Sequence, residues 1–263
     1  MKLLLFALTV ITLSVGCNKK EEQTKTYVPR ILTKNEGFNN YPKQKSDSLA
    51  IFQVTSSNRE QFSVKFRDTT VSIQTDASGK NKSADKFSSA QFINTQKTCL
   101  LVQLADSTGL VAPSFLISLK GDGLEVISLY RASNGPQDLK YTTGINKVSA
   151  AGYLVDNDFF ITNVNAKAYL IQRQNPAERI QGQFILTSPD RQTVIFLVKN
   201  ALYQVHYPSG EVSTEPLKGA APKDVSGVYT WIQNNYSFQK GKKGISFLKY
   251  NDDDRIVDIK EFR

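Results

Sequence analysis

From Leu49 onward the chain places apolar residues at every second position, in short runs separated by polar breaks. LAIFQVT (49–55), EQFSVKF (60–66) and TTVSIQT (69–75) read this way, as half-buried strands require. TCLLVQL, SFLISLK, LEVISLY, AGYLV, DFFITN, KAYLIQR, IQGQFIL, QTVIFLV, ALYQVHY, GVYTWIQ, ISFLKY and RIVDIKEF extend the series. No stretch of about ten residues or more carries an apolar stripe at helical spacing. About fifteen short strands with short connections predict an all-β fold, an antiparallel short-strand meander. Its architecture is expected to be propeller-like or a β-sandwich, with a closed barrel less favoured.

Turn chemistry sharpens the strand map. Lys120, Gly121, Asp122 and Gly123 join SFLISLK to LEVISLY, and the glycines around Asp122 supply the positive backbone angles of a tight hairpin. Further turns are expected at 156–158 (DND), 188–191 (SPDR), 208–210 (PSG) and 251–254 (NDDD). The segment SPDRQTVIFLVKNALYQVHYPSGEVS resembles a single β-propeller blade. Strand groups starting near residues 49, 98, 148, 192 and 227 would each form one blade, although their spacing is irregular.

The first 22 residues have a different character. Lys2 precedes an apolar run from Leu3 to Leu13, interrupted only by Thr9 and Thr12, and small residues lead up to Cys17. A positive start, a short apolar core and a small-residue end make an export signal. The run is shorter than the ~20 residues a membrane-spanning helix needs. Leu13-Ser14-Val15-Gly16-Cys17 resembles the lipobox of bacterial lipoproteins, with Ser14 where the commonest pattern has Leu. The resemblance implies cleavage before Cys17 and acylation of that cysteine. Several acyl chains would anchor the chain stably, since each buried methylene contributes ~0.8 kcal/mol. Lys20, Glu21 and Glu22 resemble the export tag of Bacteroidetes surface lipoproteins, which implies the outer membrane, at the cell surface or on its periplasmic face.

The organisation expected is therefore a signal peptide over 1–16, a lipidated N-terminus and tether over 17–48, and an all-β domain over 49–263, with a change between sub-halves near 140–147. The tether is polar and irregular, although Tyr27, Val28, Ile31 and Leu32 offer a short edge strand.

The net charge of +9 falls to +8 once Lys2 leaves with the leader. The basic residues are dispersed, as on a solvated surface, and for an exported chain they point to anionic envelope components rather than nucleic acid. With Cys17 acylated, Cys99 has no disulfide partner and is expected to be a buried hydrophobe. His206 is the only histidine, which rules out a site of two or three imidazole ligands in one chain. It is expected to face solvent from its strand. No phosphate loop, dinucleotide fingerprint or nucleophile elbow is present, so no cofactor and no histidine- or cysteine-based catalytic residue is expected.

Carboxylate chemistry stays open, because glycoside hydrolysis needs only two acidic groups across a cleft. Asp122, Asp156, Asp158, Asp190 and Asp224 sit at turns, where aspartate usually serves the backbone. Asp252, Asp253 and Asp254 lack the alternating spacing of a calcium loop and read as a turn, with no metal site. Tyr229, Trp231 and Tyr236, with Asn234 beside them, are the candidate binding residues: as a strand face they could stack on a sugar ring. The leading expectation is a lipid-anchored, non-enzymatic binding or envelope-assembly protein, its partner a glycan or an envelope protein. A carbohydrate-active hydrolase and a purely structural accessory lipoprotein are the alternatives.

Overall fold

The computed structural model describes residues 23–38, 52–56, 60–75, 82–105, 112–148, 150–219, 222 and 224–251. Cys17, the leader and the 252–254 aspartates lie outside them. The all-β expectation holds, with sheets that are mostly antiparallel and partly mixed.

The first sheet has ten strands: β1 (Gln23–Tyr27), β2 (Arg30–Ile31), β4 (Phe52–Ser56), β5 (Phe62–Phe66), β6 (Thr69–Gln74), β7 (Ser83–Ala84), β8 (Phe87–Phe92), β9 (Cys99–Leu104), β10 (Ser114–Lys120) and β11 (Gly123–Ser128). Its main path runs β1-β6-β5-β8-β9-β10-β11-β2. β1 pairs in parallel with β6 at one end, and β2 pairs in parallel with β11 at the other. Only Val28 and Pro29 separate β1 from β2, so three Cα steps hold the two edges within about 11 Å. A flat path of eight strands would set them about 34 Å apart at the usual inter-strand spacing. The sheet therefore curls. Its concave face encloses one core, containing Val64, Val71, Ile73, Phe87, Leu100, Val102, Phe115, Ile117 and Val126.

The outer face is buried too over β9, β10 and β11. Cys99, Leu101, Leu116 and Ile127 pack on Tyr153, Val155, Phe159 and Ile161 of the second sheet. This explains why TCLLVQL and SFLISLK are almost continuously apolar: strands covered on both faces cannot alternate. The second sheet is the meander β12 (Ile145–Val148), β13 (Gly152–Val155), β14 (Phe159–Thr162) and β15 (Lys167–Leu170), with β3 (Glu36–Gly37) added at its edge. Adjacent residues of β14 serve opposite interfaces. Phe159 joins the first-sheet core, whereas Phe160 faces the third sheet and stacks on Tyr207 at 4.4 Å. Each is fully buried, contributing about 1.5–3 kcal/mol relative to exposure.

The third sheet is the meander β16 (Gln183–Thr187), β17 (Thr193–Val198), β18 (Ala201–His206) and β19 (Glu211–Pro216). Val194, Phe196, Tyr203 and Val205 face the second sheet, and Ile195 and Leu202 face the other way. That outer face is covered by α1 (Val225–Asn235) and the hairpin of β20 (Tyr236–Lys240) and β21 (Ser246–Tyr250). The chain thus builds a curled sheet, two meanders and a helix–hairpin cap, packed in series.

Two expectations are corrected. GVYTWIQ is helical rather than a strand. Asp224 caps the helix by accepting from the Gly227 N–H at 2.7 Å, and Val228 and Ile232, one turn apart, bury against the third sheet. Residues 23–38, expected within the tether with a short edge strand from Tyr27, Val28, Ile31 and Leu32, form edge strands and a longer strap than that. β1 and β2 join both edges of the first sheet and β3 joins the second, with Leu32 and Phe38 fully buried between them. The Arg30 guanidinium bridges Glu125 and Glu36, each at 2.6 Å, and pins the strap at its middle.

Candidate functional site

The aromatic group singled out in the sequence does not form a platform. On α1, Tyr229 and Trp231 point to different sides, since two residues turn a helix by about 200°. Trp231 is half-buried and packs against Tyr236, with ring centroids 5.5 Å apart. Tyr236 is buried, and its hydroxyl donates to the Pro216 carbonyl and accepts from the Lys218 N–H. Tyr229 and Asn234 remain exposed, and the Tyr229 hydroxyl accepts from Gln233, one helical turn away. The helix distributes as core and surface what a strand would have gathered on one face.

His206 does not face solvent as expected. It is 8% exposed, with Nδ1 2.7 Å from Ser209 Oγ and Nε2 3.1 Å from Gln192 Oε1. Since the Gln192 oxygen can only accept, Nε2 carries the proton and Nδ1 accepts from Ser209. Burial lowers its pKa, opposed by the nearby Asp190 and Glu211. Cys99 is buried as expected, and desolvation pushes its thiol up to about 12.

The densest polar cluster lies at the β13–β14 turn, Asp156-Asn157-Asp158. Asp156 and Asn157 adopt left-handed backbone conformations (φ 51° and 57°), which these residue types tolerate best after glycine. All three residues are buried, because the loops 129–144 and 171–182 close over the turn. Buried side chains need partners, and these find them. Asp156 accepts from the Gly144 N–H at 2.7 Å; burial raises its pKa, while Arg179 and the backbone bonds oppose the rise. Asn157 donates to the Gly182 carbonyl.

Asp158 gathers three guanidinium groups. Arg173 binds it with two parallel bonds of 2.7 and 2.8 Å, Arg179 Nε lies at 3.2 Å and Arg131 Nη1 at 3.7 Å. Arg173 also donates to the Ala132 and Pro176 carbonyls, and Arg179 to Thr142 Oγ1. Asp138 is held separately, by the backbone N–H groups of Gly135 and Arg179. Arg131 donates through Nη1 to the Ile171 carbonyl at 2.6 Å. Burial lowers the Arg131 pKa, and Asp158 only partly offsets that.

Two clefts open beside this cluster. One, of about 380 Å³, is floored by Arg131 and Arg173 and walled by Ile31, Tyr130, Leu170 and Pro176. The other, of about 410 Å³, is evenly polar and apolar and runs from Gln174 and Arg179 to Lys199 and Asn200. Both volumes fall in the range of small-molecule pockets, about 300–1,000 Å³. Among the described residues no group of three or more metal-ligating side chains assembles, and no helix is long and apolar enough to cross a membrane.

The arginines escaped sequence reading because nothing in their spacing relates Arg131 to Arg173 and Arg179. The available signal was Asp158, at a turn whose neighbours in the chain are strongly apolar. No family model, curated protein or solved structure matches this chain.

Proposed function

We propose that the protein is held at the outer membrane by acyl chains on Cys17 and acts there by binding, or in envelope assembly, rather than by catalysis. The anchor is supported by the order Leu13-Ser14-Val15-Gly16-Cys17 after a short apolar leader. The binding role is supported chiefly by one observation: the cleft beside the Asp158 cluster combines an accessible guanidinium with apolar walls. That combination suits a ligand with one charged and one apolar end. Asp156 and Asp158, in the adjoining cluster, are committed to the Gly144 N–H and to Arg173, which suits them to structure better than to proton transfer. The packing of three sheets in series, the first on β12–β15 and β12–β15 on β16–β19, supports a propeller-like architecture over a two-sheet sandwich.

Fractionation of cells producing the full chain and its Cys17→Ser variant tests the anchor. The native chain is expected in the outer-membrane fraction and the variant in the soluble fraction, with protease shaving of intact cells reporting surface display. Membrane retention of Cys17→Ser would refute the anchor.

A further inference from the structure

We propose that the Arg131 cleft is a binding site for a small monoanion, a carboxylate carried on an apolar body. The inference rests on the binding reading and specifies its ligand class. The first argument is charge. Arg131, Arg173 and Arg179 converge on the single carboxylate of Asp158, and Arg173 takes both of its oxygens in short parallel bonds. Asp156 offsets Arg179. Arg131 is left as the least compensated of the three, at 3.7 Å from Asp158, and its side chain is also the most exposed: 21%, against 1% for Arg173 and 10% for Arg179. A half-buried cation with incomplete compensation is stabilised by a further anion, and one negative charge suffices.

The second argument is hydrogen-bonding geometry. Nη1 of Arg131 is held by the Ile171 carbonyl, and the side chain lines the cleft. A guanidinium presents five N–H donors in a rigid fork, and that fork matches a carboxylate edge. The third argument is the wall. Tyr130 is 57% exposed and Ile31 53% exposed, both lining this cleft together with Leu170 and Pro176. Large apolar side chains left open beside a cation suit a ligand with one charged end and one apolar end. The strap sets this shape, since Ile31 ends β2 and reaches the cleft only because β2 pairs with β11.

Calorimetric titration of the full chain in lipid nanodiscs, with empty nanodiscs as blank, tests the site. The probe is 4-phenylbutyrate, with 4-phenylbutanol as its uncharged counterpart and phenyl phosphate as a dianion. The alcohol is expected to bind at least tenfold more weakly than the acid. Arg131→Gln should weaken the acid at least tenfold, and Tyr130→Ala several-fold. Because Tyr130 is largely exposed, that variant keeps the test decisive should Arg131→Gln fail to fold. No binding of 4-phenylbutyrate, equal binding of the alcohol, a phenyl phosphate tenfold tighter than the acid, or indifference to both substitutions would each overturn the proposal. The fate of Cys17→Ser reads the anchor and the titration reads the cleft, so the two can fail separately.

Discussion

His206 is locked by two neutral partners in a pocket that disfavours its charged form, which gives the fold a definite pH response. With its pKa lowered in the folded state, the unfolded chain binds more protons in the window below the ordinary histidine value of about 6.5. Stability therefore falls as pH drops through that value, and the loss is complete once the folded-state pKa is passed. Asp156, whose pKa is raised, acts in the opposite sense, because its folded form takes up protons first. Chemical unfolding at pH 7.5 and 5.5 should show His206→Gln less sensitive to acid than the native chain, with the Asp156 response common to both. Equal responses would mean that the imidazole is not held neutral. At this scale the sequence was only partly legible. An isolated histidine in an alternating strand looks outward by pattern, but Gln192 and Ser209 come from neighbouring turns and close over it. The arginines around Asp158 were less legible still. Their meeting depends on two loops folding over one turn, a relation carried by no local spacing.

Among the elements, the third sheet and the C-terminal hairpin are joined by a side chain that imitates a strand. Gln204 of β18 is buried; its amide nitrogen donates to the Leu248 carbonyl at 2.9 Å and its oxygen accepts from the Leu248 N–H at 2.7 Å. Thr193 adds a bond to the Ser246 carbonyl. Gln204→Leu would fill similar space and leave both Leu248 groups unpaired in the interior. Each buried orphan group costs about 1–3 kcal/mol, so a loss of about 2–6 kcal/mol is expected in urea unfolding. A loss below about 0.5 kcal/mol would show that the hairpin docks without this pair. Strands buried on both faces, such as β9 and β10, were recognisable from length and composition alone. The helix was missed although its signal was present: Asp224 precedes Val225, Val228, Tyr229 and Ile232, spaced 3, 4 and 7 residues from the first. The neighbouring two-residue spacing of Tyr229 and Trp231 mimics a strand, and the surrounding strands favoured that misreading. An uncharged 11-residue helix is marginal by itself, and here the apolar face of the third sheet supplies its partner.

For the whole molecule, the strap changes what attachment at Cys17 would mean. A tether through residue 48 would let the body drift far from the bilayer. With Gln23 already paired to Thr69, only the five residues 18–22 separate the proposed acyl anchor from the curled sheet, and the six Cα steps from Cys17 to Gln23 span at most about 22 Å. The exposed β5–β6 turn, Arg67-Asp68, adjoins Thr69 and so lies close to the end of that short leash. With such an anchor the body would be confined near the lipid surface, with the first sheet nearest to its point of attachment. A dye placed by Asp68→Cys, where Cys99 is buried and does not compete for label, should transfer strongly to acceptors in the bilayer. Inserting about 20 Gly/Ser residues between Asn18 and Gln23 adds a flexible coil of roughly 25 Å root-mean-square length and should restore the donor emission. Unchanged transfer on insertion would mean that the sheet is held at the membrane by contacts of its own; weak transfer without the spacer would mean that the strap does not begin where β1 does.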